Sequence, residues 1–194
     1  DRCTEGGTIK KTKLEAYSRP RVNGINAITI KENDRLLDVK LTNGDNHIII
    51  AKRSGKAINF HENNVRPMGR TAAGVRGIKL ESDDDRVIGM ICVSREESDL
   101  LVVSKNGYGK RSSINDYRIT KRGGKGVMTL KITEKTGNLV AIKEVKTNDE
   151  LMIINKSGIT IRTSITDENI RVMGRATQGV KLIKLSENDC LLYT

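Results

Sequence analysis

Residues Tyr117–Ile132 read YRITKRGGKGVMTLKI, and this stretch is one of three copies of the same pattern. It aligns without gaps with VRPMGRTAAGVRGIKL, which begins at Val65, and with IRVMGRATQGVKLIKL, which begins at Ile170. The copies lie 117 − 65 = 52 and 170 − 117 = 53 residues apart, and a weaker fourth copy, SRPRVNGINAITI, begins at Ser18. A repeat of this period indicates a fold assembled from similar small units. The copies share a first arginine column (Arg66, Arg118, Arg171), a second arginine column (Arg70, Arg122, Arg175) and a glycine column (Gly74, Gly126, Gly179, with Gly24 in the weak copy).

A short glycine-containing turn precedes each copy. The four turns read EGGTIKKT from Glu5, RSGKAINF from Arg53, KNGYGKRS from Lys105 and KSGITIRT from Lys156. Apolar runs come directly before the last three, with the sequences HIIIAK, LLVVSK and LMIINK. An apolar β-branched run followed by a glycine that can adopt positive φ predicts a β-hairpin in every unit.

A third repeated element supplies another predicted strand in each unit. It reads NDRLLDVKLT from Asn33, DDRVIGMICV from Asp84 and TGNLVAIKEV from Thr136, and the last residues, ENDCLLYT, match ENDRLLDV from Glu32. Four short strands per unit of about fifty residues are typical of propeller-like blades, so we predict an all-β fold. We expect strands near Leu36–Leu41, His47–Lys52, Lys56–Phe60 and Val75–Leu80. One domain is predicted over residues 1–194, with repeat units at approximately 1–32 (partial), 33–83, 84–135, 136–186 and 187–194 (the start of a further unit).

The charge of the chain favours a polyanionic partner. Lys and Arg number 35 and Asp and Glu number 24, which gives a formal net charge of +11. The windows Arg66–Lys79, Arg118–Lys131 and Arg171–Lys184 contain cations and no carboxylate, so the excess charge recurs once per unit. This pattern favours nucleic acid over an anionic membrane surface. The absence of Trp and the single Phe argue against a membrane anchor or a stacking platform for single strands, so we predict contacts with a duplex backbone.

Other classes of site receive little support from the sequence. Cys3, Cys92 and Cys190 form no CxxC pair and are interpreted as reduced thiols, and neither His47 nor His61 lies near a cysteine. No Ser/His/Asp set, paired carboxylates or metal motif predicts an enzyme. No apolar run reaches the length of a membrane span, and the amino terminus lacks the apolar core of a signal peptide.

The loop ITKRGGKGV, residues Ile119–Val127, admits three interpretations: a nucleotide cradle, a solvated turn or a DNA backbone contact. A nucleotide cradle requires GxxxxGK[ST] before a helix, whereas this run has other spacing and precedes the β pattern VMTLKI. A solvated turn explains one such loop well, but it explains less well the same two arginine columns and glycine column in three consecutive units. Glycines let backbone N–H groups approach phosphate oxygens closely, Arg side chains bind the same oxygens, and the loops lack the Asn, Gln or Glu pattern of base recognition.

The loop sequences resemble a known family. TKRGGKG, from Thr120 to Gly126, is similar to the box Q-R-R-G-G-K-G of the bacterial DNA gyrase A subunit, with Thr120 and Lys121 as departures. NGYGKR, VRPMGRTAAGVRGIKL and MGRATQGVKLIKL look like blade loops of that subunit's C-terminal domain. The resemblance implies a β-pinwheel, in which propeller-like blades exchange strands, and duplex DNA wrapped around its rim. The matching box lies in the last repeat but one, so we expect the chain to correspond to the last four or so blades, with the family's own box upstream.

The resemblance also implies a division of labour in the parent protein. The parent would introduce negative supercoils using ATP and Mg²⁺ bound elsewhere, with its catalytic Tyr on another domain, so this chain would be non-catalytic and would need no cofactor. Its partners would be double-stranded DNA, the gyrase A N-terminal region and the gyrase B subunit in a heterotetramer in the bacterial cytoplasm, associated with the nucleoid. The alternatives are the equivalent domain of topoisomerase IV and a propeller-type protein-interaction module.

The predicted DNA contacts combine the repeat columns with neighbouring cations of the resembling motifs. They are Arg66, Arg70, Arg118, Lys121, Arg122, Lys125, Arg171 and Arg175 in the three loops, Lys110 and Arg111 in NGYGKR, and Arg21 in the weak copy.

Overall fold

A computed structural model describes residues 1–93, 97–185, 189 and 191, so most of the match ENDCLLYT, with Cys190 and Tyr193, lies outside the described residues. The described chain contains short 3-10 helices at Leu14–Tyr17, Glu62–Asn64 and Ile114–Asp116 and no α-helix, which confirms the predicted all-β class. Its strands are β1 (Arg2–Thr4), β2 (Thr8–Lys10), β3 (Leu36–Val39), β4 (His47–Lys52), β5 (Lys56–His61), β6 (Val75–Arg76), β7 (Val87–Val93), β8 (Asp99–Ser104), β9 (Tyr108–Ser113), β10 (Val127–Met128), β11 (Leu139–Val145), β12 (Glu150–Ile154), β13 (Thr160–Ser164) and β14 (Val180–Lys181).

In the first three blades, a hairpin from one predicted repeat unit is joined by an inner and an outer strand from the following unit. The first blade has the strand order β3-β1-β2-β6, the second β10-β5-β4-β7 and the third β11-β8-β9-β14, and the described part of the fourth blade is the hairpin β12-β13. All pairings within these sheets are antiparallel. The short strands β6, β10 and β14 cross back to the blade that precedes their own hairpin. This exchange is the strand-swapped arrangement that the resemblance implied.

The hairpins form where the apolar runs predicted them. In the hairpin β4–β5, His47 pairs with His61 and Lys52 pairs with Lys56, and all six residues of β4 are buried. The turn glycines Gly7, Gly55, Gly107 and Gly158 have φ of 82–83°, which a residue with a Cβ adopts only at a cost. The predictions for β3, β4 and β5 match the observed strands closely, whereas the strand predicted over Val75–Leu80 is limited to Val75–Arg76.

The sheet order defines an inner and an outer edge for each blade. Strand β7 contacts both β3 of the first blade and β11 of the third, so these three strands form the inner edges of the blades. Strands β6, β10 and β14 occupy the opposite edge of each sheet, which is the outer rim. The loops that lead into these strands, residues 66–74, 118–126 and 171–179, are the rim loops.

The hydrophobic core consists of the interfaces between neighbouring blades. One buried cluster joins Ile9 of the first blade to Ile50 and Met90 of the second. A second cluster joins Ile49 to Leu100 and Ile142 of the third blade, and a third cluster extends from Leu101 to Ile153 of the fourth. Because every cluster spans two blades, burial of apolar surface holds each blade against the next.

Candidate nucleic-acid interface

The three rim loops are held at their start by equivalent backbone contacts. Residues Val65, Tyr117 and Ile170, directly before the loops, are at most 2% exposed and anchor them in the core. Three residues later, the N–H groups of Met68, Thr120 and Met173 donate to the carbonyls of Lys11, Asn59 and Arg111, each at 2.8 Å. The loops therefore leave the core along the second hairpin strand of the preceding blade at the same register every time.

The first arginine column lies on the surface of these loops. Arg66, Arg118 and Arg171 are all exposed, and within residues 1–93 and 97–185 none of them forms an ion pair with a carboxylate. Since the adjacent residue is buried and the loop is held by the same hydrogen bond, the three guanidinium groups recur at equivalent positions of successive blades. Lys121, Lys125 and Arg21 are exposed as well, and the middle loop has the densest exposed charge, with Arg118, Lys121 and Lys125.

The second arginine column is half-buried and joins neighbouring blades. Arg122 Nη1 donates to the carbonyl of Arg76 at 3.0 Å, and Arg175 Nη1 donates to the carbonyl of Met128 at 2.8 Å. Arg70 Nη1 makes the corresponding contact with the carbonyl of Asn26 at 3.5 Å. The acceptors occupy equivalent positions two residues beyond the glycine column of the preceding copy. These arginines reach the rim of the preceding blade, so part of their hydrogen-bonding capacity is used within the protein.

A backbone hydrogen bond accompanies each of these arginine contacts. Lys79 N–H donates to Gly124 O at 2.9 Å, and Lys131 N–H donates to Thr177 O at 3.0 Å. Thr29 N–H makes the equivalent, longer bond to Ala72 O at 3.4 Å. The arginine and backbone bonds together form a rim clamp, repeated three times, that fixes the spacing between the outer edges of successive blades.

Lys110 and Arg111, both predicted from the sequence to contact DNA, are buried. Lys110 is fully buried and its Nζ donates to the carbonyls of Gly174 and Arg175 beneath the third rim loop. Burial, with a smaller effect of the Arg175 guanidinium, lowers the pKa of the Lys110 ammonium to about 8. The assignment of both residues to the DNA-binding surface is wrong, because rim-loop segments some sixty residues later in sequence cover them.

Arg111 belongs to a repeated buried contact between blades. It is 1% exposed, and it donates to Ile170 O at 2.7 Å, to Asp99 at 3.1 Å and to Asp167 at 2.5 Å. The equivalent residue of the first blade, Lys11, pairs with the buried carboxylate of Glu62 at 2.6 Å. Burial opposes ionisation of Glu62, but hydrogen bonds from Lys11, the Asn46 N–H and Thr42 hold its pKa below the usual range.

Lys10 supports a rim loop in the same way, and the sequence motifs did not single it out. It is fully buried, and its Nζ donates to the carbonyls of Ala27 and Arg70, as Lys110 does to Arg175. The two lysines stand three residues after Gly7 and Gly107, and Ile58 occupies the equivalent position after Gly55. The alignment therefore contained a signal for the burial of these lysines. A position that holds isoleucine in one repeat is expected to face the core in the others.

At the end of each rim loop, the glycine of the repeated column forms the turn that leads into the outer strand. Gly126 has φ of 80°, and a Cβ there would lie 2.6 Å from the Ala57 carbonyl oxygen. At Gly179 the corresponding distance to the Gly109 oxygen is 2.5 Å. The close approach that these glycines permit in this structure is therefore to the neighbouring strand of the same blade.

Other classes of site find no support in the described ranges. No group of three His, Cys, Asp or Glu side chains converges there in a way that could hold a metal ion. No described helix is long and apolar enough to cross a membrane. The chemistry that the rim offers is hydrogen bonding and charge neutralisation by fixed cations.

Strand-exchanged blades with a repeated row of exposed arginines on their outer edge define a propeller-like domain with a cationic rim. The chain belongs to the family described as DNA gyrase C-terminal domain, beta-propeller, whose sequence model matches residues 3–43, 47–94, 98–146 and 149–191. The DNA gyrase A subunit of Staphylococcus epidermidis is 44% identical over 188 residues, which is 96% of this chain and 21% of the relative. The DNA gyrase A subunit of Salmonella typhimurium is 42% identical over 187 residues, with the same coverage of 96% and 21%.

Solved structures agree with the family and the fold. The structure of a DNA gyrase A C-terminal domain matches with a TM-score of 0.85 and 27% identity, covering 98% of this chain and 62% of that one. The C-terminal domain of a DNA topoisomerase IV matches with a TM-score of 0.89, covering 98% and 58%, but its 23% identity shows the fold alone. The predicted resemblance to the gyrase A C-terminal domain is thereby confirmed, and the chain spans about a fifth of the length of the curated relatives it matches.

Proposed function

We propose that this chain binds duplex DNA without sequence preference and wraps it around the rim. The observation that carries the proposal is the equivalent exposure of Arg66, Arg118 and Arg171 on three loops that leave the core through the same hydrogen bond. Guanidinium groups bind phosphate oxygens in a fixed geometry, and phosphate contacts position a protein on DNA without reading its sequence.

A wrapped duplex must be held against its own stiffness. Bending 20–30 base pairs by 40–90° costs on the order of 1–6 kcal/mol, so several phosphate contacts are needed along the path. A row of arginines on a curved edge supplies them, in the way that histone surfaces bind DNA without base-specific contacts. The rim clamps keep the row at constant spacing, which allows each blade to contact a successive stretch of the duplex.

The wider role follows from the family and is part of the same proposal. In the parent protein this domain would support ATP-dependent negative supercoiling without itself carrying catalytic residues or a cofactor. The catalytic Tyr, the ATP and the Mg²⁺ would lie elsewhere, in the gyrase A N-terminal region and the gyrase B subunit, in the bacterial cytoplasm.

A salt titration of duplex binding tests the proposal. The exposed cations can neutralise about six phosphates, and they are Arg66, Arg118, Arg171, Lys121, Lys125 and Arg21. A plot of the logarithm of the association constant against the logarithm of the salt concentration should therefore have a slope of roughly −5. Mixed-sequence duplexes of equal length should bind equally. A slope near zero, or strong preference for one sequence, would contradict backbone binding.

A topology measurement separates wrapping from simple binding. Closing nicked plasmid in the presence of the protein should trap a change in linking number, and the sign of that change gives the handedness of the wrap. Tight binding with unchanged linking number would show that the rim holds DNA without bending it around the blades.

A further inference from the structure

The rim loops carry a repeated apolar position beside the first arginine column. Pro67, Ile119 and Val172 follow Arg66, Arg118 and Arg171 directly, and these three residues form the apolar ridge. Pro67 is exposed, and Ile119 and Val172 are 63% and 43% exposed. A single exposed apolar side chain is ordinary, but the same position in three consecutive blades is a surface feature.

The backbone presents these side chains rigidly. The residue two positions before each of them is buried, and the N–H of the residue after each is bonded to the preceding blade. Isolated bridges pair Pro67 with Lys11, Ile119 with Asn59 and Val172 with Arg111 in the same parallel arrangement. Proline and β-branched residues also have few rotamers to lose, so ordering them in a complex costs little entropy.

The charge around the apolar ridge favours a polyanionic partner. Each apolar side chain follows an exposed arginine, and the three windows contain no carboxylate. A duplex offers the matching surface, because its minor groove is about 6 Å wide and places deoxyribose walls between two rows of phosphates. Other proteins that bend DNA place apolar side chains, including Pro and Ile, in the minor groove, where they wedge between base steps.

We propose that Pro67, Ile119 and Val172 pack against the deoxyribose walls of the minor groove where it faces the rim, while the adjacent arginines hold the flanking phosphates. This inference rests on the proposed DNA wrapping and adds to it a contact that does not depend on salt. It assigns two components to binding: a charge component from the first arginine column and an apolar component from the ridge.

Serine substitutions on the ridge test the apolar component. Ile119→Ser and Val172→Ser should each weaken binding to a mixed-sequence duplex of about 40 base pairs by roughly fivefold, and the double variant by roughly 25-fold. The slope of binding against salt should remain that of the unmodified chain, because no cation is removed. Melting temperatures should also stay constant, since both side chains are exposed.

Two matched controls and one competitor sharpen the test. Leu41→Ser and Met152→Ser remove side chains that are 81% and 61% exposed outside the rim loops, and they should leave affinity unchanged. Netropsin, which fills the minor groove of A·T-rich duplexes, should weaken binding of the unmodified chain more than that of the double variant.

The outcomes separate this inference from the proposal on which it rests. Unchanged affinity in the double variant, with a reduced salt slope in Arg118→Ala, would overturn the proposed role of the ridge and leave the proposed DNA binding by the arginines intact. A change of salt slope in the serine variants would also overturn it, because the substitutions would then act through the loop charges. If the unmodified chain bound no duplex, both proposals would fail.

Discussion

At the scale of single residues, the surroundings of a cation decide its role in this protein. Lys110 and Arg111 are neighbours in a basic motif, yet both are buried and hydrogen-bonded to segments of the following repeat, whereas Arg118 a few residues later is exposed. A buried guanidinium paired with carboxylates stabilises its site only while every partner is present. We therefore assign the buried cations to stability, and the exposed ones are those we propose for DNA binding.

Arg111→Ala should destabilise the fold without removing a phosphate contact. The substitution leaves the Asp99 carboxylate, the Thr147 hydroxyl and the Ile170 carbonyl without their donor, so we expect a loss of about 2–4 kcal/mol. Urea unfolding would measure it, with Lys121→Ala as an exposed control that should change stability little. A reduced salt slope of DNA binding in folded Arg111→Ala would contradict the structural role.

Lys110 should give the stability a specific dependence on pH. Its folded pKa of about 8 lies below the ordinary lysine value of 10.5, so between these values the unfolded chain holds a proton that the folded chain has released. Raising the pH through this window therefore favours the folded state. We expect the free energy of unfolding of the unmodified chain, minus that of Lys110→Met, to increase between pH 7 and pH 9.5. A flat or decreasing difference would show that the buried amine does not titrate there.

At the scale of elements, each rim loop connects the hairpin of one blade to the outer strand of the preceding blade. Its start is set by a buried residue and one hydrogen bond, and its end by a glycine with positive φ. The two-residue outer strands are too short to specify their own pairing. The glycine turn therefore has a large share in directing each of them onto the correct hairpin.

Gly126→Ala should disrupt this turn. The alanine would face both a positive φ and a carbonyl oxygen at 2.6 Å, so we expect a loss of about 2–3 kcal/mol and weaker DNA binding through loss of loop order. Gly69→Ala is the matched control, since a Cβ there meets nothing within 4 Å and its φ is not positive. Equal melting temperatures for the two variants would refute the proposed role of the turn.

At the scale of the whole molecule, two kinds of contact connect the blades. Apolar side chains are buried between neighbouring blades, and the rim clamps join their outer edges. Each apolar cluster spans two blades, and each clamp joins the outer strand of one blade to the loop of the next. Wrapping depends on the spacing and the angle between phosphate contacts as well as on their number. We infer that the second arginine column sets that spacing, because its guanidinium groups bond the rim of the preceding blade.

The two arginine columns should therefore behave differently when truncated. Arg118→Ala and Arg171→Ala should each reduce the salt slope by about 1 and leave the melting temperature unchanged. Arg122→Ala and Arg175→Ala should lower the stability by about 1–2 kcal/mol through loss of a charged hydrogen bond, and should reduce the linking-number change more than the affinity. Identical effects of all four variants on slope, stability and wrapping would show that the clamp has no separate function.

The repeat, the hairpins and the family could all be predicted from the order of the amino acids. Hairpin glycines, apolar runs and the columns of Val65–Leu80 are local patterns, and local patterns specify strand type and turn geometry directly. The equivalence of the first arginine column was predictable too, because the gapless alignment places Arg66, Arg118 and Arg171 at one position of the repeat.

Which cations face solvent, and which blade receives each outer strand, became known from the packing of distant segments. Lys110 is covered by Gly174 and Arg175, more than sixty residues away in sequence, and Arg122 finds its acceptor on the preceding blade. Burial of a side chain depends on every segment that packs over it, and strand exchange brings those segments from other repeats. A lysine or arginine reads the same in both settings, so the sequence could indicate a basic loop but could not separate its exposed cations from those bonded to the neighbouring blade.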